Sequence, residues 1–415
     1  MLRYITIWDS SDTPPNSLKG TVLLWRSYGE SEQSHVISIP KLIENKEDEL
    51  RQLYLAWVYE LGETCINGKR LIDLLELHPG FSYWWMTLIN EKCNYSKSPQ
   101  ITDAIRYLAF DMFAKQMSID CINIVSSNKP LISCIHTWCK QKGVVFERQM
   151  LGMHAGSKSI LWRCFGLLPI PLQITIWLMK YLFDRYPLRR VGLKEWQQTQ
   201  GKITFISYLF NLVPEVTSSG CFESNYWTRL PDVLAVDDRD TNWLHLIVKG
   251  SPLSNAKKAA KVIRNFNKNK SSKQTHVTLD TFLGVDVLYR TLQDWFKLYY
   301  VCRNIKLKIA NDSTALSLWP LIENDWIQSI NSSVSISNLL NLNLFKSAFA
   351  HLPIQKNGLY LQENQGWETG LIHAWRVAGQ GRLIGVPHST VRYWDLRYFF
   401  DPRSYEQKKK NPLPM

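Results

Sequence analysis

Residues 358–401 read GLYLQENQGWETGLIHAWRVAGQGRLIGVPHSTVRYWDLRYFFD. A short apolar run, 358–361, ends on Gln362-Glu363-Asn364. An apolar-periodic segment then runs over 367–378 and is stopped by Gly379 and Gly381. A second apolar run, 383–386, ends on Pro387-His388-Ser389-Thr390. Strand, helix and strand within about thirty residues is a βαβ unit. Both strands deliver polar residues at their carboxyl ends, where open parallel sheets place ligands.

Working upstream, 203–209, 243–248 and 277–279 read as further strands, with a basic helix and loop over 253–275. Residues 202–400 then form an α/β domain on a doubly wound sheet of at least five strands. Residues 1–150 read as a small α/β domain: strand-like runs at 21–25, 122–125 and 144–146, and helical spacing at 49–61 and 103–115. Between them, 156–200 is an apolar and then basic linker. Its stretch 164–179 is sixteen residues without charge, broken by Pro169 and Pro171, and Lys180, Arg185, Arg189 and Arg190 follow. A membrane span needs about 20 apolar residues. Two readings stay open for 164–184: a helix lying on an anionic membrane surface, or one buried between domains. The tail, 401–415, reads as a linker.

A chain of 415 residues has room for two or three domains, and 45% hydrophobic with 20% charged residues is ordinary for a folded protein. The 17 Trp suit carbohydrate faces, membrane interfaces or plain core. The net charge is +13, and 257–308 carries twelve basic against three acidic residues. A solvated helix face accounts for this, as would attraction to anionic lipid, to a phosphate or nucleotide, or to nucleic acid. No nucleic-acid module is recognisable, so that partner ranks last. The eight Cys form no CxxC and read as reduced thiols in a cytosolic protein. The first fifteen residues lack a charged-then-apolar leader. No metal site and no cofactor are expected. GxSxG, HExxH, Walker and GxGxxG patterns are all missing, which leaves hydrolase, zinc protease, NTPase and dehydrogenase readings without support.

Glu363 and His388 are expected at the tips of adjacent strands about 4.8 Å apart, facing one crevice. A carboxylate and an imidazole there can act as general base and as partner for a phosphate leaving group. Ser389 and Thr390 offer hydroxyls and turn N–H groups to anionic oxygen. Arg392 and Arg397 can neutralise further charge, and Asn364, Gln365 and Glu368 can take sugar hydroxyls. Glu368 in a first helical turn and an Arg392–Asp395 surface pair are the structural rivals.

The segments ITFISYLFNLVP (203–214), YLQENQGWETGLIHAWRVAGQG (360–381) and GVPHSTVRYWDLRYFFDPRSY (385–405) resemble the bacterial surface carbohydrate biosynthesis proteins found with O-antigen and capsule loci. WRSYGE (25–30) and LHPGFSYWWMTLINEKCNYSKSPQI (77–101) resemble them too. More remotely, strand-Glu, helix, strand-His is similar to bacterial transferases of capsule Kdo and related acidic sugars. That resemblance implies a Rossmann-like half of a GT-B fold over 202–400 and a site at Glu363 and His388. It further implies a nucleotide-sugar donor, a CMP-linked acidic sugar among the choices, and a lipid-linked glycan acceptor. The location implied is cytoplasmic, peripheral at the inner membrane. Proteins of this kind continue past the PLPM equivalent into another α/β domain, so the resemblance places the donor-holding half beyond residue 415. The rival reading is a noncatalytic, membrane-associated glycan-binding or assembly component.

Overall fold

The computed structural model describes residues 3–29, 35–150, 165–209, 212, 213, 217, 219–236, 239–248, 255–303, 305, 318–387 and 389–406. The architecture is mixed α/β, with two five-stranded, all-parallel sheets flanked by helices. The first sheet contains β1 (Tyr4–Trp8), β2 (Thr21–Leu24), β3 (Val36–Ser38), β4 (Cys121–Val125) and β5 (Val145–Gln149), in the order β3-β2-β1-β4-β5. The second contains β6 (Ile203–Tyr208), β7 (Thr241–Leu246), β8 (Gln274–Thr278), β9 (Asn357–Gln362) and β10 (Arg382–Pro387), in the order β8-β7-β6-β9-β10. The two sheets share one topology. Each has its switch point beside its own first strand, at β1/β4 and at β6/β9.

The principal helices are α1 (Glu47–Glu63), α2 (Gln100–Ala114), α3 (Lys129–Lys142), α4 (Ile170–Arg185), α5 (Ala256–Lys268), α6 (Val285–Cys302), α7 (Trp319–Asn331), α8 (Ser333–Ala350) and α9 (Gly366–Val377). Central strands such as β6 and β4 are buried at every residue, as strands covered on both faces must be. The expected βαβ unit is β9–α9–β10, in register from Asn357↔Arg382 to Gln362↔Pro387. A capping box of Gln365 and Glu368 starts α9, and Gly379, at φ 65, follows its end.

In each sheet the connection from third to fourth strand is a long helical excursion, and the two excursions pack together. Trp319, Ile322 and Trp326 of α7 join the core of the first sheet, as do Ile336 and Leu339 of α8. Farther along α8, Leu344, Phe345 and Phe349 belong to the core of the second. Hydrogen bonds lock this seam: Tyr83 Oη donates to the Ser329 carbonyl (2.8 Å), and Asn338 Nδ2 donates to the Met86 carbonyl (2.9 Å).

Three features differ from the sequence reading. The first region holds a full five-stranded sheet, because β1 and the three-residue β3 join the strands expected there. The first core continues into residues 319–342, which the sequence reading grouped with 202–400. Finally, 401–406 is more than linker: Arg403–Glu406 is a helical turn, and Arg403 reaches Glu60 of α1 at 3.4 Å and bonds Asp401 at 2.8 Å. Among the described residues no helix is long and apolar enough to cross a membrane.

Candidate functional site

The carboxyl end of β9 and the start of α9 form a tight turn at the β6/β9 switch point. Asn364 adopts the left-handed region (φ 54), which asparagine tolerates, and its Oδ1 accepts from Gln362 Nε2 at 2.9 Å. The turn closes around Glu368. One Glu368 oxygen accepts the backbone N–H groups of Glu363 and Gln365 at 3.1 Å, and the other accepts that of Asn364 at 3.0 Å. Glu368 is buried, and burial pushes its carboxyl up to about 8 against the opposing pull of those N–H groups. It therefore shapes the loop from within and is turned away from the surface, unlike the hydroxyl-binding role read for it.

Gln365 is the hub. Its Nε2 donates to Glu363 Oε2 and to Tyr208 Oη (3.3 Å), at the end of β6. Its Oε1 accepts from Lys97 Nζ and from Trp367 Nε1, each at 3.2 Å. Burial raises the Tyr208 hydroxyl, reinforced by the Glu363 and Glu368 carboxylates, so the phenol keeps its proton. Lys97 also pairs with buried Glu91 at 2.6 Å, and Glu91 accepts the Gly366 N–H at 3.0 Å. Arg397 holds Asp395 in a bidentate pair, both contacts 2.8 Å, while its Nη1 lies 3.8 Å from Glu363 Oε2. Tyr398 Oη donates to the Gln362 carbonyl at 2.9 Å.

The structure thus gathers Glu363, Asn364, Gln365 and Arg397 at the carboxyl end of β9. Ser389 and Thr390 follow β10 and are exposed, as is Arg392, whose guanidinium stands 5.7 Å from the Tyr95 ring centre. Arg392 does not make the pair with Asp395 that its spacing suggested; Arg397 does. His388 lies outside the described residues.

Sequence reading missed Tyr208, Glu91 and Lys97, which reach the site from β6 and from the first half of the chain. It also missed a polar cluster at the β1/β4 switch point. There Asp9 follows β1, Arg26 lies just past β2 and Ser126 follows β4. Asp9 accepts from Arg26 Nε and from Ser126 Oγ, each at 2.6 Å. Burial raises the Asp9 carboxyl despite both partners. Asp103, in the first turn of α2, accepts from Trp25 Nε1 (3.0 Å), Arg106 (2.8 Å) and Asn128 Nδ2 (3.0 Å). Parallel pairing sets Asp9, Arg26 and Ser126 side by side, and the packing of α2 adds Asp103.

Among the described residues no group of His, Cys, Asp and Glu is arranged to hold a metal ion. Comparison with protein-family models, curated proteins and solved structures finds no match.

Proposed function

We propose that this chain is a glycosyltransferase-like protein of bacterial surface polysaccharide assembly, of O-antigen or capsule type. It takes a sugar from a nucleotide-activated donor, a CMP-linked acidic sugar among the candidates, to a lipid-linked glycan. The observation that carries the reading is Glu363 beside Arg397, with Lys97 on the Gln365 that contacts Glu363, at the β6/β9 switch point, where open parallel sheets place ligands. The second sheet, five parallel strands with a polar cluster at its switch point, fits one Rossmann-like half of a GT-B organisation.

In this reading an acceptor hydroxyl attacks the anomeric carbon while the bond to the phosphate oxygen breaks. Glu363 takes the hydroxyl proton or orients that hydroxyl, and the cations receive the charge that develops on the leaving phosphate. His388 is the further candidate for that charge. Gln365 positions Glu363 through its Nε2 contact.

The test is transfer by the full chain from CMP-linked acidic sugars to a lipid-linked acceptor. Glu363→Gln is expected to lower turnover by about 10²-fold or more with donor affinity kept. Full turnover in that variant removes Glu363 from the chemistry.

A further inference from the structure

Among the described residues, helix α4 is packed on one side and exposed on the other. Ile174 and Leu178 are buried, while Leu172, Ile176, Met179 and Phe183, at helical spacing, form an exposed row. Phe183 is 84% exposed and Met179 65%. Tyr186 extends the row past the helix end.

A second helix, α6, packs on α8 and carries an exposed apolar row of its own. The inner residues of α4 and α6 sort into the two cores in opposite order along the chain. Ile174 shares one core with Trp295 and Leu298, and Leu178 shares the other with Val287. The two helices therefore run antiparallel beside α8. Their shared corner is pinned where Arg189 Nε donates to the Leu283 carbonyl (3.0 Å) and the Arg190 N–H to that of Thr281 (2.9 Å). From α6 the exposed side chains are Val285, Tyr289, Phe296 and Tyr300, again on one helical face. Basic residues stand among them. Lys180 pairs with Asp184 and Arg290 with Asp286, which satisfies both acids, and exposed Arg190 and Arg303 add positive charge.

We propose that the outer face of α4 and α6 seats on the interface of an anionic lipid bilayer. An apolar row with tyrosines and a basic rim is what that interface takes up. The 16 residues of α4 span about 24 Å, short of a hydrocarbon core of about 30 Å, so the helix lies in the plane. A second copy of the chain would set the two basic rims against each other, which favours the lipid as occupant. The inference stands apart from the transferase reading and survives its failure.

The experiment is flotation of the full chain with phosphatidylcholine vesicles, with and without phosphatidylglycerol, alongside light scattering for oligomeric state. The wild type is expected to float with the anionic vesicles. Met179→Glu/Phe183→Glu is expected to lower binding by about tenfold or more, and Arg190→Glu/Arg303→Glu to lower it only where phosphatidylglycerol is present. All four positions are exposed, so folding is expected to survive, checked by an unchanged melting temperature. Absence of wild-type flotation, or equal flotation of Met179→Glu/Phe183→Glu, overturns the proposal. A dimer that this variant splits, without vesicle binding, overturns it in favour of a second copy.

Discussion

The Glu91 carboxylate accepts the backbone N–H of Gly366 at 3.0 Å across 275 positions of sequence, tying the first half of the chain to the first turn of α9. A Cβ at Gly366 would lie 2.8 Å from the Met86 carbonyl oxygen and 3.3 Å from Glu91 Oε2. Gly366→Ala must therefore push the seam apart, at a cost of about 1–3 kcal/mol. Chemical denaturation should show that loss, and ligand affinity should fall with it because the Gln365 hub moves. An unchanged midpoint would mean that the seam relaxes freely.

Glu368 carries the turn that presents Glu363. Glu368→Ala strands three N–H groups in a buried site and is expected to cost at least about 2 kcal/mol. Glu368→Gln keeps one acceptor and should cost less. The pH dependence separates the two effects. A carboxyl whose folded value is about 8 against an ordinary 4.5 contributes less stability as pH rises through that window. The Gln variant should lose this slope.

Lys92 behaves as the basic counterpart. It is buried, donates to the Asn90 carbonyl at 2.6 Å and stands 3.9 Å from the Phe400 ring centre. Burial lowers its amine from 10.5 to about 7. The folded state then favours the neutral amine, so stability should rise between pH 7 and 10.5. Lys92→Met should flatten that rise, as read by urea unfolding across the range.

His245 and His276 stack in parallel inside the second sheet, with Nε2 and Nδ1 3.0 Å apart. Burial lowers both imidazoles, His245 to about 3. Neutral rings are favoured when folded, so stability is complete above pH 6.5 and is lost as pH falls toward 3. His245→Phe/His276→Phe retains rings in the column beside Trp243 and should blunt this acid loss. An unaltered acid transition would assign it to other groups.

Much of the second sheet was legible because its strands are compact apolar runs bounded by turn residues. β9, α9 and β10 fall within one residue of the reading at each end. In contrast, α8 is buried nearly all round, with Asn338 and Asn343 set among its leucines, so it shows no single apolar stripe. β3 is too short for alternation to register. The site was half legible. Glu363 and Arg397 share one local stretch with visible strand signals, whereas Tyr208, Glu91 and Lys97 arrive through tertiary packing. Asp9, Arg26, Asp103 and Ser126 are spread over more than a hundred positions; parallel pairing brings Asp9, Arg26 and Ser126 together, and the packing of α2 adds Asp103. The face of α4 needed the structure for another reason. Its sequence is apolar on both sides, and only packing tells which side stays bare.

The most direct test of the central claim is calorimetric titration of CMP, UDP, GDP and ADP, with the corresponding nucleotide sugars, into the full chain and into Arg392→Ala. Arg392 is exposed past the end of β10, so its removal leaves the fold intact. The account predicts that one nucleotide class binds and that Arg392→Ala weakens it by about tenfold. Binding by none of them, or binding indifferent to Arg392, would contradict a nucleotide-sugar site there.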